Sequence, residues 1–309
     1  MLNEIVICAI LLSFTVILIA IKHKEIRRYH IPALGLALGS LLLNGKDAYF
    51  LVLLSVILFL PKASRRTVMS FAFGVFLPAA LYLLLDWPVA KVISILTLAA
   101  QLPVYSWIIE ERSALLQVVI PAIGSCLLLK ELSAGLLPKF LPWIGMLTIA
   151  VAMACYPKCG RGKELLTYST LGGMASVYMT FLITGSTELA ASLLLCYTGF
   201  KTLGWISEGE DTSMGPALAV SLLGISGIPP LPAFFVYHEL FMSGAYSSPL
   251  KTAILISVVL NSLVFLGASL RLINRQLANI HRTDCRTVCV VSLTLGILFA
   301  GITFLGVGL

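Results

Sequence analysis

Charged side chains are scarce in this sequence. Only 11% of the 309 residues are charged, whereas 59% are hydrophobic and the mean hydropathy is +1.01. A soluble domain carries about 25% charged residues, so this chain lacks the side chains that would cover a water-facing surface. Its apolar runs are long and continuous rather than alternating, which favours helices over a transmembrane barrel. The sequence therefore predicts an all-α polytopic membrane protein.

The motifs of most enzyme classes are also missing. The sequence contains neither a GxGxxG fingerprint nor a phosphate-binding loop, and nothing in it resembles a nucleophile elbow. Its four histidines do not suit paired haem ligation, and its seven cysteines are scattered without the spacing of a metal site. We therefore expect no metal and no cofactor in this chain.

The apolar runs predict eleven to thirteen membrane helices, and thirteen is the preferred count. Two pairs of short runs, 31–44 with 47–61 and 213–229 with 231–245, permit the lower numbers because an upright span needs about 20 residues. The candidate spans are 3–21, 31–44, 47–61, 68–86, 88–107, 114–136, 139–156, 164–184, 186–206, 213–229, 231–245, 250–273 and 285–307.

Basic residues are concentrated in short segments between these runs, chiefly 22–28, 62–66 and 158–163, and the net charge is +7. This placement is typical of orientation by loop lysines and arginines, and no basic domain exists outside the helices to bind nucleic acid. With thirteen spans, these three segments face one side together with the acidic loop at Glu208. Arg271 and Arg275 then fall on the other side, so the charge rule does not fix the topology.

Two sites with ionisable residues inside apolar runs are the first functional candidates. Lys201 lies about two-thirds along its predicted helix, with Tyr197 one turn earlier, and His238 and Glu239 directly follow a proline-rich break. A charge at mid-bilayer costs at least ~2.5–3.5 kcal/mol on insertion scales, so such groups normally have a function. Imidazole also titrates near neutral pH. The alternatives are a snorkelling lysine and a polar pair at a helix end.

Four further ionisable residues are weaker candidates. Lys130 and Glu131 are adjacent on one predicted helix and point about 100° apart, so they do not pair with each other. Glu188 and Asp47 each lie at a helix start, where a carboxylate is stabilised by the helix dipole. A simple capping role is therefore an alternative to proton transfer for these two.

Two segments repeat the order helix, proline, aromatics and ionisable residues. The first is LAAQLPVYSWIIEER, which precedes a helix that Pro121 and Gly124 are expected to interrupt. The second contains Pro229, Pro230 and Pro232 before His238. Paired proline- and glycine-interrupted helices in two halves of a chain are typical of transporters with internal repeats.

Four segments resemble motifs of the antiporter-like membrane subunits of respiratory complex I. These are LAAQLPVYSWIIEE, KELLTYSTLGGMAS, LCYTGFKTLGWI and GISGIPPLPAFFVYHELF, and they occur in the order of the family. The corresponding family motifs are L-A-A-x-P-F-H-F-W-x-P-D, K-R-L-L-A-Y-S-S-I-x-H-L-G, H-A-F-F-K-A-L-L-F-L and a G-I-P-P turn followed by G-F and a lysine.

The resemblance implies two inverted five-helix repeats, each with a discontinuous helix, at approximately 68–184 and 186–284. N-terminal helices at 1–67 and a C-terminal helix at 285–309 complete the expected organisation. The resemblance also implies a central row of charged residues within the membrane.

The sequence departs from the family pattern at several of these charges. Lys201 matches the lysine of the H-A-F-F-K motif, and His238 stands where the second broken helix has a lysine. The lysine of the first broken helix falls near Ser125 or Cys126 and is lost. The glutamate of an early helix has no counterpart, although Asp47 is nearby. The first half is therefore expected to be poorly supplied with translocating groups.

The function implied by the resemblance is that of a membrane-arm subunit of the proton-pumping NADH:ubiquinone oxidoreductase. Lys201 and His238 would be the protonation sites, and Glu239 would modulate His238. NADH, FMN, iron–sulfur clusters and ubiquinone would belong to partner subunits. Neighbouring antiporter-like subunits and membrane lipids would surround the chain in the mitochondrial inner membrane or, alternatively, in a bacterial plasma membrane.

Three other functions fit parts of the same pattern. A subunit of an Mrp-type cation/proton antiporter or of a membrane-bound hydrogenase shares the motifs. A non-conducting structural subunit would hold its neighbours together without moving protons. A stand-alone solute carrier would need a cluster of polar residues for its substrate, which the sequence does not show.

Overall fold

The computed structural model describes residues 33, 35–37, 39–40, 43, 45–60, 63–101, 114–135, 138–207, 216–243, 248–276 and 285–306. The predicted span at 3–21 and most of the span at 31–44 lie outside the described residues. Every regular element in the described residues is a helix, so the prediction of an all-α polytopic membrane protein is confirmed.

The chain packs into two compact units, which divide between Leu137 and Pro138. This division concerns packing rather than internal symmetry. The predicted repeats at 68–184 and 186–284, with the flanking segments 1–67 and 285–309, therefore stay a prediction.

In the N-terminal unit the described helices are α1 (Gly45–Phe59), α2 (Arg65–Leu85), α3 (Pro88–Leu98) and α4 (Ala114–Ser133). α3 packs against both α2 and α4. α2 contains a π-helical segment, Ala72–Phe76, just before Pro78, and a π turn is one way in which a helix accommodates the missing proline N–H. Ser94 Oγ on α3 donates a hydrogen bond of 3.1 Å to the Val75 carbonyl in this segment.

α4 is continuous from Ala114 to Ser133, although Pro121 and Gly124 were expected to interrupt it. In a membrane protein, neighbouring helices and hydroxyl side chains can satisfy the backbone groups that a proline leaves unpaired. The role of Gly124 is instead to allow close packing between two helices. A Cβ added there would lie 2.3 Å from the backbone nitrogen of Ala99, so the glycine allows the end of α3 to approach α4 closely.

In the C-terminal unit the helices are α5 (Leu141–Cys155), α6 (Gly162–Thr184), α7 (Thr187–Ser207), α8 (Pro216–Ile225), α9 (Pro232–Met242), α10 (Pro249–Gln276) and α11 (Cys285–Phe304). α6 packs against α5, α7 and α10, whereas α7 packs against α8, α9 and α11. α6 and α7 are therefore the interior helices of this unit, and their side chains are mostly buried.

Within the described ranges, four helical segments are long and apolar enough, by length and composition, to cross a membrane: Arg65–Leu85, Leu116–Ser133, Leu141–Lys158 and Pro249–Arg275. α6 and α7 have the length but are not among these four. Other helices shield both of them, so that polar side chains such as Lys201 and Thr170 are buried inside the unit.

α8 and α9 together form one interrupted crossing of the C-terminal unit. They contain 10 and 11 residues, which correspond to about 15 and about 16 Å of helix. Only their sum approaches the ~30 Å of a hydrocarbon core. Between them Gly227 has φ of +72°, and the Tyr237 ring packs so closely on it that an added Cβ would lie 2.4 Å away. Glycine is thus required by both conformation and space.

This interrupted crossing explains why the charge rule gave conflicting sides. Leu218 of α8 packs on Gly162 at the start of α6, so α8 starts at the same end as the loop 158–163. α9 continues to the opposite end and α10 returns, and Arg271 Nη1 on α10 donates to the Pro157 carbonyl at 3.2 Å. Arg271 therefore lies on the same side as Lys158. The thirteen-span count placed it on the other side because that count treated α8 and α9 as two crossings.

Candidate functional site

A buried lysine on an interior helix is the centre of the candidate site. Lys201 on α7 has no exposed surface, and its ammonium group donates a hydrogen bond to Thr170 Oγ1 on α6. The Thr170 hydroxyl in turn lies 3.5 Å from the Leu166 carbonyl, to which it donates. Thr170 therefore presents its oxygen lone pairs to the lysine. The site is fixed between two helices rather than at a flexible chain end.

Tyr197 forms a second contact between the same two helices, one turn before Lys201. Its hydroxyl lies 2.6 Å from Ser169 Oγ, and Ser169 donates its own proton to the Leu166 carbonyl at 2.7 Å. Since a serine hydroxyl has a single proton, Tyr197 is the donor to Ser169. The tyrosine ring packs on Gly173, where an added Cβ would lie 2.0 Å from the ring. The glycine makes room for this tyrosine.

A polar cluster occupies another flank of α6. The Tyr156 hydroxyl donates to Asn261 Oδ1 on α10 at 3.0 Å, and Asn261 Nδ2 donates to Ser176 Oγ at 3.4 Å. An added Cβ at Gly172 would lie 2.3 Å from both Asn261 Oδ1 and the Tyr156 hydroxyl. The adjacent glycines of the LGGMAS segment thus give space to polar groups on two flanks of α6.

α6 therefore carries a row of buried hydroxyl groups with protonatable or amide partners on either flank. Hydroxyl groups both donate and accept hydrogen bonds, so this row has the chemistry needed to pass protons towards and away from Lys201. Among the described residues, no three His, Cys, Asp or Glu side chains gather into a possible metal site.

His238 and Glu239 occupy a different environment from Lys201. Both are exposed on α9, and the His238 ring centroid lies 6.2 Å from that of Phe234 on the same helix. The structure of this chain alone thus places the pair on the surface of the unit and not among the buried hydroxyl groups of α6.

The two predicted acidic helix starts have local roles that the structure defines. Ser186 Oγ accepts from the Leu189 N–H at 3.1 Å and donates to Glu188 Oε2 at 2.9 Å, so Glu188 takes part in the N-terminal cap of α7. Asp47 is exposed in the first turn of α1, where a carboxylate interacts favourably with the helix dipole.

Lys130 and Glu131 make separate contacts in the N-terminal unit, as their different directions on α4 require. Lys130 Nζ donates to the Leu43 carbonyl. Glu131 Oε1 lies 2.6 Å from Nζ of Lys91 on α3, and these two side chains are 18% and 10% exposed. The sequence analysis missed Lys91, although a lysine three residues after Pro88 in an apolar helix was a visible signal.

Comparisons with known proteins reveal similarity at the level of the fold. No family model matches the sequence, and no curated protein sequence matches it. A chain from the structure of respiratory complex I of Thermus thermophilus with bound aureothin is similar, with a TM-score of 0.67 and 17% sequence identity. The similarity covers 97% of this chain and 84% of that chain, and it is a similarity of fold.

Proposed function

We propose that this chain is a membrane-arm subunit of a proton-pumping NADH:quinone oxidoreductase and contributes to proton translocation. Lys201 is the observation that carries the proposal, because it is a fully buried lysine that contacts a row of hydroxyl groups on a neighbouring helix. Lys201 also matches the lysine of the H-A-F-F-K motif of the complex I family. The shared fold with a complex I chain supports the same function.

Lys201 is suited to hold a proton for part of a cycle. A buried ammonium group is costly in a membrane interior, and here it contacts Thr170 Oγ1. Small changes in nearby charge would therefore decide whether the proton stays or leaves. Ser169 and Tyr197 extend the hydrogen-bonding groups beyond Thr170.

His238 and Glu239 remain proposed as a second protonation site and its modulator. Their exposed position on α9 requires that a neighbouring subunit covers this helix in the assembly. We therefore assign α9 to the interface with an adjacent membrane-arm subunit.

As the finer identity we propose subunit 2 of the NADH dehydrogenase, because the loop style is most similar to that of this subunit. We propose the mitochondrial inner membrane as its location. NADH, FMN, iron–sulfur clusters and ubiquinone would be bound by partner subunits, so electrons would not pass through this chain.

The first test is whether the chain belongs to such an assembly. Native membranes are extracted with a gentle detergent and separated on a native gel, which is stained for NADH oxidation. The chain is expected in a large, NADH-oxidising band. Migration alone, or with a few hydrophobic partners and without NADH activity, would contradict the proposal and favour a cation/proton antiporter subunit, for which sodium-dependent transport is the distinguishing measurement.

The second test addresses Lys201 in the assembled complex. Lys201→Ala should lower the number of protons pumped per electron while the assembly persists. Lys163→Ala is the matched control, because Lys163 is an exposed lysine at the start of α6. Unchanged stoichiometry in the Lys201→Ala complex would favour the non-conducting structural subunit.

A further inference from the structure

A cavity at one end of the N-terminal unit contains an ion pair that the sequence analysis did not anticipate. The cavity has a volume of about 430 Å³ and lies between α1, α3 and α4. A water molecule needs only about 10–15 Å³ of such space, so the cavity has room for many. Lys91, Lys130 and Glu131 line it, which makes it polar enough to be hydrated.

The ion pair between Lys91 and Glu131 lies at the boundary between this cavity and the interior. The N–O distance is 2.6 Å, and Lys91 Nζ also lies 5.1 Å from the centre of the Tyr82 ring. The nearby pair Lys46–Asp86 has the same 2.6 Å separation but is 44% and 73% exposed. The two pairs thus share one N–O distance but differ in burial.

A row of buried polar side chains leads inward from the ion pair. Ser94 and Thr97 follow Lys91 on one flank of α3 and have no exposed surface, and Gln101 follows the end of the helix and is equally buried. From Lys91 to Thr97 the helix rises about 9 Å. The row therefore extends well into a hydrocarbon core of ~30 Å.

Tyr49 gives an independent indication that the cavity holds a polar ligand. Its side chain lines the cavity and is 2% exposed. Its hydroxyl lies near Ser94 but has no hydrogen-bond partner in good geometry. A buried hydroxyl normally has a partner, and a water molecule in the cavity would supply one.

We propose that the N-terminal unit has its own proton path, in which the ion pair Lys91–Glu131 is the loading site. Glu131 takes up one proton from the hydrated cavity and becomes neutral, which releases Lys91. The Lys91 ammonium gives one proton to the polar row, and transfer of the Glu131 proton to Lys91 restores the pair. One proton is taken up and one is passed on. This inference rests on the proposed function and assigns proton transfer to the half of the chain that was expected to lack it.

The test compares neutralised ion pairs in the assembled complex. The double variant Lys91→Met with Glu131→Gln removes both charges, so no unpaired buried charge remains to disturb assembly. We expect normal assembly on native gels and a loss in protons pumped per electron. The matched control is Lys46→Met with Asp86→Asn, which neutralises the exposed pair and should keep the full stoichiometry.

Each result decides between a proton path and a structural ion pair. Full pumping by the neutralised inner pair, or an equal loss in the exposed-pair control, would overturn the inference. If the neutralised inner pair does not assemble, Ser94→Ala decides, because it changes no charge and removes one hydroxyl from the row. A loss of pumping in that variant supports the path, and full pumping overturns it.

The same preparations separate this inference from the proposed function. Lys201→Ala serves as the reference variant. A loss of pumping in Lys201→Ala together with full pumping in the neutralised inner pair would refute only the path in the N-terminal unit. The absence of the chain from any NADH-oxidising band would refute the proposed function itself.

Discussion

Replacing Gly173 by alanine is expected to destabilise the C-terminal unit, because Tyr197 occupies the space that a Cβ would need. The added carbon would lie 2.0, 2.4 and 2.5 Å from three atoms of the tyrosine ring. The ring is buried, and its retreat would break the 2.6 Å contact with Ser169. The neighbouring atoms therefore cannot relieve the clash without further loss.

The size of the effect follows from two contributions that destabilise the fold and one that stabilises it. Overpacking a closely packed interior costs about 1–3 kcal/mol. Loss of the Tyr197–Ser169 hydrogen bond adds about 0.6 kcal/mol, the average for bonds between membrane helices. Alanine is favoured over glycine in a helix interior by about 1 kcal/mol. The net destabilisation is therefore about 0.6–2.6 kcal/mol, since the clash outweighs the helix propensity.

The measurement is the thermal stability of the assembled complex, followed by the fraction that stays assembled on native gels after stepwise heating. The matched control is Gly267→Ala on α10, where an added Cβ meets no atom within 4 Å. We expect Gly173→Ala to lower the transition temperature and Gly267→Ala to keep or raise it. A Gly173→Ala complex as stable as the Gly267→Ala complex would refute the packing of Tyr197 on α6.

Three further predictions concern other parts of the C-terminal unit. Tyr156→Phe removes the donor to Asn261 Oδ1 and should destabilise the same complex by about 0.6–1.7 kcal/mol, whereas an unchanged transition temperature would show that this bond contributes nothing. Burial, with Glu164 as a further cause, raises the pKa of the Cys159 thiol to about 12, so little reactive thiolate exists near neutral pH. The rate of Cys159 alkylation should therefore rise through pH 8–11 without a plateau, and it should be faster in the Glu164→Gln variant. A plateau near pH 9 would contradict this. Because Arg271 donates to the loop 157–163, cysteines placed at Arg271 and at Lys158 should react with an impermeant reagent from the same side of the membrane, and labelling from opposite sides would refute α8 and α9 as one crossing.

The helices were largely predictable because their signal is local. Long apolar runs and the prolines at their ends determined most helix bounds within a few residues, as for α6 and α10. Pro121 was misleading, since a proline weakens a helix locally but neighbouring groups decide whether it breaks. The prolines between α8 and α9 coincide with a real interruption, and Gly227 with its positive φ is also present there.

The candidate site was less predictable because it depends on contacts between helices. Lys201 stood out, since a lysine within an apolar helix is rare. Thr170 and Asn261 did not, because membrane helices contain many such residues whose side chains bond only to their own backbone. The partner of Glu131 could not be found from spacing along α4, since Lys91 belongs to another helix.

The buried polar side chains of α6 and α7 have a consequence for how the chain is made. These helices follow one another with only Gly185 and Ser186 between them, and each helix carries polar groups that face the other. Released singly from the ribosome, either one would bring unsatisfied hydroxyl groups or a charged lysine into lipid. We expect them to leave the insertion machinery as a hairpin, with Lys201 already hydrogen-bonded to Thr170. This hairpin would pack beside α5 until α10 is synthesised and covers the remaining flank of α6 with Asn261.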